Sequence, residues 1–233
     1  SMEWAAWMCE TRVGNGQGNV RRGTLKPARS EFQRDWDRIV FSGAFRRLHD
    51  KTQVFPLPGK SDVVHSRLAH SLEVACVGRM LGLLVGRGIL ANIRNATFDA
   101  HDIGAVVAAA ALAHDIGNPP LGHAGERAIR KFFKSSNVLS GRISEQAMKD
   151  LGSFDGNPQG FRVLTRLQQA DEGGMQLTAA TLATFSKYPW PVNDARAGTK
   201  GKFGFFETER MLFADVAACT GLTEVQDGWA KHP

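Results

Sequence analysis

The sequence predicts an all-α fold, and three observations carry the prediction. Apolar residues recur at helical spacing through SEFQRDWDRIVFSGAFRRL, starting near Ser30. Two further apolar runs, Ser66–Val85 and the alanine-rich Ile103–Ile116, are long enough for helices and too long for strands. No alternation of polar and apolar residues persists as a strand would require, and no internal repeat is visible.

In chain order, Gly14, Gly16, Gly18, Arg21 and Arg22 mark the start of the chain as a flexible basic arm, residues 1–29. Residues 30–233 read as one domain. In its first helix Phe32, Trp36, Ile39 and Val40 share the apolar spacing, and Trp36, Phe41, Phe45 and Leu48 are expected in the core. Pro56, Pro58 and Gly59 break the stretch from Lys51 to Val64. The helix from about Ser66 carries two apolar stripes, one through Leu68, Leu72, Ala75, Cys76, Met80 and Leu83, the other through Val74, Val77 and Leu81. A helix apolar on two faces is expected to be largely buried. The alanine-rich helix should be the centre of the bundle, stopped by Gly117, Pro119 and Pro120. A third helix starts near Gly122. Beyond Lys134 the chain reads as polar and turn-rich to Gly160, then as amphipathic pieces at about 160–171, 178–186 and 207–219, with 189–204 a loop of mobile cations.

Composition excludes more than it assigns. The 233 residues are 42% hydrophobic and 22% charged, as in ordinary soluble proteins. Cys9, Cys76 and Cys219 form no paired motif, which argues against a disulfide framework or a thiolate zinc site and fits a reducing cytosol. No basic segment leads into an apolar run at the N-terminus, and the apolar stretches read as too short or interrupted to span a bilayer. A soluble cytoplasmic protein without a membrane partner is expected. The formal charge of +6 favours anionic partners.

Three features carry chemistry. Arg67 and His70, three apart, project from one side of a helix, and His70 shares the Val74–Val77–Leu81 stripe, so its imidazole should point inward. Alone, His70 reads equally as a core histidine. His114-Asp115 ends the alanine-rich helix. A helix-terminal histidine complements the dipole, but Asp115 has the wrong sign for that end. In so dry a setting its carboxylate calls for a cation, and imidazole with carboxylate suits a borderline divalent metal. His123 and Glu126, three apart in the next first turn, are a pair fit for acid–base work, or simply a first-turn acid beside a histidine.

These residues lie in longer motifs. DRIVFSGAFRRLHDKTQVF, HSRLAHSLEV and AHDIGNPPLGHAGE, with FDGNPQGFRVL at 154–164, TLATFSKYP at 181–189 and KFGFFETE at 202–209, resemble the deoxyguanosinetriphosphate triphosphohydrolase (dGTPase) family of HD-superfamily enzymes. The resemblance implies hydrolysis of a deoxynucleoside triphosphate, dGTP above all, to deoxynucleoside and tripolyphosphate by water attack at the α-phosphorus. It implies metal ligands at His70, His114 and Asp115, and catalytic roles for His123 and Glu126. It implies substrate contacts at Gln53, Arg67, Asn157, Lys187 and Tyr188. The ion it implies is divalent: Mn, Mg or Fe first, Zn, Co or Ni next. It implies a homo-oligomer. The family's fourth ligand is an aspartate just beyond a segment resembling Lys231-His232-Pro233, so the sequence reads as a bundle truncated on its C-terminal side, incomplete before that ligand and weak in turnover by itself. Asp215 reads as an exposed helix residue and Asp227 as a turn residue, neither in the ligand's motif.

Two other readings stand beside this one. Another HD phosphohydrolase, a deoxynucleotide 5′-phosphatase or a phosphodiesterase, shares the metal chemistry. A single-stranded nucleic-acid-binding module draws instead on Arg12, Arg21, Arg22, Lys26, Arg29, Arg196, Lys200 and Lys202.

Overall fold

The computed structural model of the protein describes residues 4–14, 29–53, 65–135, 139 and 141–230. Its helices are α1 (Trp4–Trp7), α2 (Glu31–Val40), α3 (Gly43–Arg46), α4 (Arg67–Leu90), α5 (Ala100–Ala113), α6 (His123–Ser135), α7 (Glu145–Gly152), α8 (Gly156–Arg162), α9 (Ala179–Phe185), α10 (Ala195–Lys200) and α11 (Arg210–Thr220). A two-stranded antiparallel hairpin, β1 (Glu224–Val225) with β2 (Gly228–Trp229), is its only sheet among the described residues. The architecture is all-α.

The centre is α5, as its composition predicts. Ile103, Val106, Ala108, Ala109, Ala110, Leu112 and Ala113 are buried, with α4, α2 and α9 packed around them. Asp99 starts the helix, its carboxylate accepting a hydrogen bond from Asp102 N while the Asp102 carboxylate accepts one from the Asp99 amide N–H. A second focus of the core is aromatic: Phe205 and Phe213 stack at 4.4 Å, with Phe161 and Trp229 against them.

The packing of α4 differs from expectation. Its buried residues are Ser71, Ala75, Gly82 and Gly86, whereas Val77, Met80, Leu81, Leu84 and Val85 are more than half exposed. The contact with α5 is so close that a Cβ on Gly82 would lie 2.9 Å from Gly104 Cα. Small residues allow that approach and large ones forbid it, so the large apolar side chains are turned away from α5. At 24 residues, with a mean hydropathy of 1.5 over its best window, α4 is long and apolar enough to cross a membrane by length and composition, contrary to the expectation from sequence. Phe41, expected in the core, is 70% exposed, while Phe45 and Leu48 are buried and Trp36 is half-buried under the Arg79 guanidinium.

The described part of the N-terminal segment is packed rather than loose. Arg12 bridges to Glu31 and Asp35 and donates to Gln176 O, and its backbone pairs with Thr178. Asp35 is fully buried. Burial pushes its carboxyl up from the usual range, and Arg12 with Thr178 pulls it back. Arg29 is paired with Asp37; Arg21, Arg22 and Lys26 lie outside the described residues. The stretch 189–204 contains α10, and its cations are held. Arg196 is clasped by Asp194 and stacked on Trp190, Lys200 lies over the same ring, and Lys202 is paired with Asp155. The polar stretch before Gly160 folds as α7 and the start of α8, capped by Ser144 and Asp155.

Candidate metal centre and active site

Local chain geometry brings the candidate ligands together. Before α4, Gln53 N donates to His65 O and Arg67 N to Lys51 O, a two-residue pairing that fixes where α4 begins. Ser66 caps it by accepting from Ala69 N. This leaves His70 in the opening turns of α4, half-buried, facing the end of α5 with its ring 5.2 Å from that of His114. The Val77–Leu81 stripe it shares is exposed, so its imidazole faces an open side rather than the interior.

At the end of α5 the helix tightens: Ile116 N bonds Ala113 O and Asn118 N bonds Asp115 O. That tightening lets adjacent His114 and Asp115 converge. His114 Nδ1 lies 2.7 Å from Ala111 O, which makes it the protonated nitrogen and leaves the Nε2 lone pair 3.4 Å from Asp115 Oδ1. Ligand atoms of His70, His114 and Asp115 all lie within 4.8 Å of one another. Asp115 is buried, and its Oδ2 accepts from Arg67 Nη1 at 2.7 Å while Oδ1 accepts from Asn118 Nδ2 at 2.5 Å. Two imidazoles and a carboxylate form a three-ligand set that suits a divalent ion with an open position. Asp215 is exposed on α11 and Asp227 lies in the β1–β2 turn, and neither joins this set.

The His123–Glu126 pair lies at the start of α6. Glu126 is buried, and its Oε2 is 2.8 Å from His123 Nδ1 while its Oε1 accepts from Gly156 N at 2.9 Å. Arg130 at 3.4 Å and Lys202 at 4.0 Å complete its surroundings. With its carboxylate oriented from several sides, Glu126 fixes the exposed His123 ring and leaves His123 Nε2 free to work on a ligand.

The remaining candidates distribute around these two groups. Gln53 Oε1 is buried and has no hydrogen-bond partner among the described residues, an acceptor awaiting a donor. Arg67 contacts Asp115 directly. Asn157 Nδ2 donates to Asp155, the carboxylate that also holds Lys202, one residue from the Gly156 amide on Glu126. Tyr188 packs with Trp190, and the exposed Lys187 ammonium lies 5.5 Å from the Tyr188 ring; no hydrogen bond or ion pair links Lys187 to the metal-ligand set.

Several residues escaped the sequence reading. Asn118 orients Asp115, and Lys51 donates from Nζ to Asn118 O at 2.7 Å. Burial, with Arg47 and Arg67 close by, lowers the Lys51 ammonium from its usual range. Asn118 lies three residues past Asp115 in a motif already singled out, which was a usable signal. Nothing in the sequence points Lys51 at that loop.

A family model described as HD domain matches residues 67–170. The chain is similar to deoxyguanosinetriphosphate triphosphohydrolase-like proteins of Synechocystis sp. (46% identical over 247 residues), Pseudomonas aeruginosa (45% over 242) and Listeria monocytogenes (37% over 247). Each match takes in all of this chain and, in the same order, 55%, 52% and 51% of the relative. The chain spans about half the length of the curated relatives it matches.

Proposed function

The chain belongs to the HD-domain family of metal-dependent phosphohydrolases, where it groups with the dGTPase-like proteins, and on that footing we propose that it takes part in hydrolysing deoxynucleoside triphosphates, dGTP first, to deoxynucleoside and tripolyphosphate. The observation that carries the reading is the convergence of the His70–His114–Asp115 set with the His123–Glu126 pair, joined through Asn118 and Gly156. A divalent ion held by the three ligands, Mn, Mg or Fe before Zn, Co or Ni, supplies Lewis acidity that lowers the pKa of water and offsets charge developing at phosphorus.

The chain's own residues do the rest. Arg67, fixed by Asp115, presents its remaining guanidinium donors to phosphate oxygens. His123, held by Glu126, moves a proton at its Nε2. The orphan Gln53 Oε1 accepts from a sugar hydroxyl or base N–H, which discriminates against analogues lacking that group. Asn157, Lys187 and Tyr188 line the far wall of the nucleotide pocket in this reading. The protein works in the cytoplasm as a homo-oligomer, a state that light scattering measures directly. Single-stranded nucleic acid is the weaker alternative, since most of the described cations it would use are engaged: Arg12, Arg29, Arg196 and Lys202 in ion pairs, and Lys200 over the Trp190 ring.

The test incubates the chain with Mn²⁺ and each deoxynucleoside triphosphate and resolves the phosphate products. Slow release of intact tripolyphosphate, abolished in His114→Ala, supports the reading. Orthophosphate or pyrophosphate as the product, or faster cleavage of deoxynucleoside monophosphates, overturns it in favour of another HD phosphohydrolase.

A further inference from the structure

Beyond His123 and Glu126, α6 borders a cavity of about 750 Å³. Its walls are cationic. Arg127, Lys131 and Lys134 lie at helical spacing on one face, and Arg130 and Lys202 stand over Glu126. The one carboxylate lining the cavity, Glu126, is already engaged by His123 and by those last two cations. Arg127, Lys131 and Lys134 make no ion pair among the described residues, so the face carries charge that nothing nearby balances. Three like charges brought together on one helix face repel one another, and a multivalent anion relieves that cost.

We propose that this cavity is an oligophosphate site that takes the tripolyphosphate leaving group, an inference that rests on the reaction proposed above. Three features select the ligand. Arg127 and Lys134 are seven residues apart, about 10 Å along the helix axis, so the unpaired charge is a row suited to linked phosphates rather than to one. The row begins beside His123, where the reacting group would be released. No Phe, Tyr or Trp side chain lines the cavity, and its one aromatic ring is His123 at the end beside the reacting group, so the cationic row offers phosphate contacts rather than a platform for stacked bases. The Lys134 stem passes close to Gly152 of α7, which braces one end of the row.

The experiment measures tripolyphosphate and orthophosphate binding to the whole chain by calorimetry, with no divalent ion present. Wild type is compared with Arg127→Gln/Lys131→Gln/Lys134→Gln and with a control of equal charge change, Arg46→Gln/Arg87→Gln/Arg142→Gln. Tripolyphosphate is expected to bind at least about tenfold more tightly than orthophosphate, with the cavity variant losing about tenfold and the control keeping its affinity. Equal losses in both variants, or equal affinity for the two phosphates, overturns the proposal. Its failure is separable from that of the reaction. A chain that binds tripolyphosphate in the cavity but releases orthophosphate from nucleotides keeps this site and loses the reaction. A chain that makes tripolyphosphate, with product inhibition unchanged in the cavity variant, keeps the reaction and loses this site.

Discussion

Removing Arg67 should expose how much the buried Asp115 depends on a cation. The Arg67 Nη1–Asp115 Oδ2 contact is 2.7 Å, and neither side chain is more than 12% exposed. Charge centres about 4 Å apart at an effective dielectric near 20 attract by about 4 kcal/mol. In Arg67→Ala the carboxylate keeps only the Asn118 amide as a side-chain donor, and breaking a buried pair in this way costs about 3–5 kcal/mol. For a chain of this length 3 kcal/mol lowers Tm by roughly 6–12 °C. Arg67→Ala/Asp115→Asn removes the stranded charge as well as its partner, so it should be less destabilised than Arg67→Ala alone. Manganese supplies a cation from the other side. At a hundred times its Kd it stabilises the folded state by about 2.7 kcal/mol, for wild type and Arg67→Ala but not for Asp115→Asn. Differential scanning fluorimetry with EDTA or Mn²⁺ reads all of this. A double variant no more stable than Arg67→Ala, or an equal Mn²⁺ shift in Asp115→Asn and wild type, would refute the account of Asp115 as a carboxylate placed for a cation.

Glu126→Gln should leave Mn²⁺ binding, measured by equilibrium dialysis, within about twofold of wild type while lowering turnover by about 10²–10⁴-fold; lost metal binding would place Glu126 among the ligands instead. Gly117→Ala should cost more than about 4 kcal/mol by urea denaturation, because its Cβ would lie 2.1 Å from Gly160 N and 2.2 Å from Gly156 O, atoms of backbone that cannot swing away. The hydrogen bond from Arg196 holds the Asp194 carboxyl below its usual 3.8, so its contribution is present above that pH and lost as pH falls through the depressed value. The stability gap between wild type and Asp194→Asn, whose amide still caps α10, should therefore be widest near neutrality and close in acid.

The His114–Asp115 half of the candidate metal set was legible because polar residues in a dry sequence have few structural uses: both end a helix of alanines, and Asp115 has the wrong sign for that end. The starts of α2 and α6 followed from periodicity, whereas α5 runs Ala100–Ala113 rather than the expected Ile103–Ile116 and α2 ends at Val40 within a longer helical pattern. What hydropathy could not give is direction. In α4 the face that meets α5 is set by Ser71, Ala75, Gly82 and Gly86, residues with almost no apolar signal, so the large side chains that dominate the pattern pointed the reading the wrong way. Arg12 was misread for a different reason. Its partners Glu31 and Asp35 and the Gln176 carbonyl are distant in sequence, and a Gly-rich surrounding gives no hint of them. The short helices α7 and α10 begin with polar caps, Ser144 and Asp194, whose residue types serve loops equally well.

The two halves of the site are built on different helices, and one tight turn sets their separation. Asp115 leads through Asn118 to the loop after α5, while Glu126 is tied by its Oε1 to the Gly156 amide at the start of α8. A Cβ on Gly156 would lie 2.1 Å from Asn118 Oδ1 and one on Gly117 would lie 2.2 Å from Gly156 O, so α8 can be approached this closely only with glycine on both sides. The candidate ligands and the candidate acid–base pair are thus registered against each other by the backbone of Gly117 against that of Gly156 and Gly160, with the Asn118 amide beside it, and packed backbone moves far less than side chains do. In such a design a substitution at Gly156 should disturb metal binding and proton transfer together, though Gly156 itself has no side chain with which to do either.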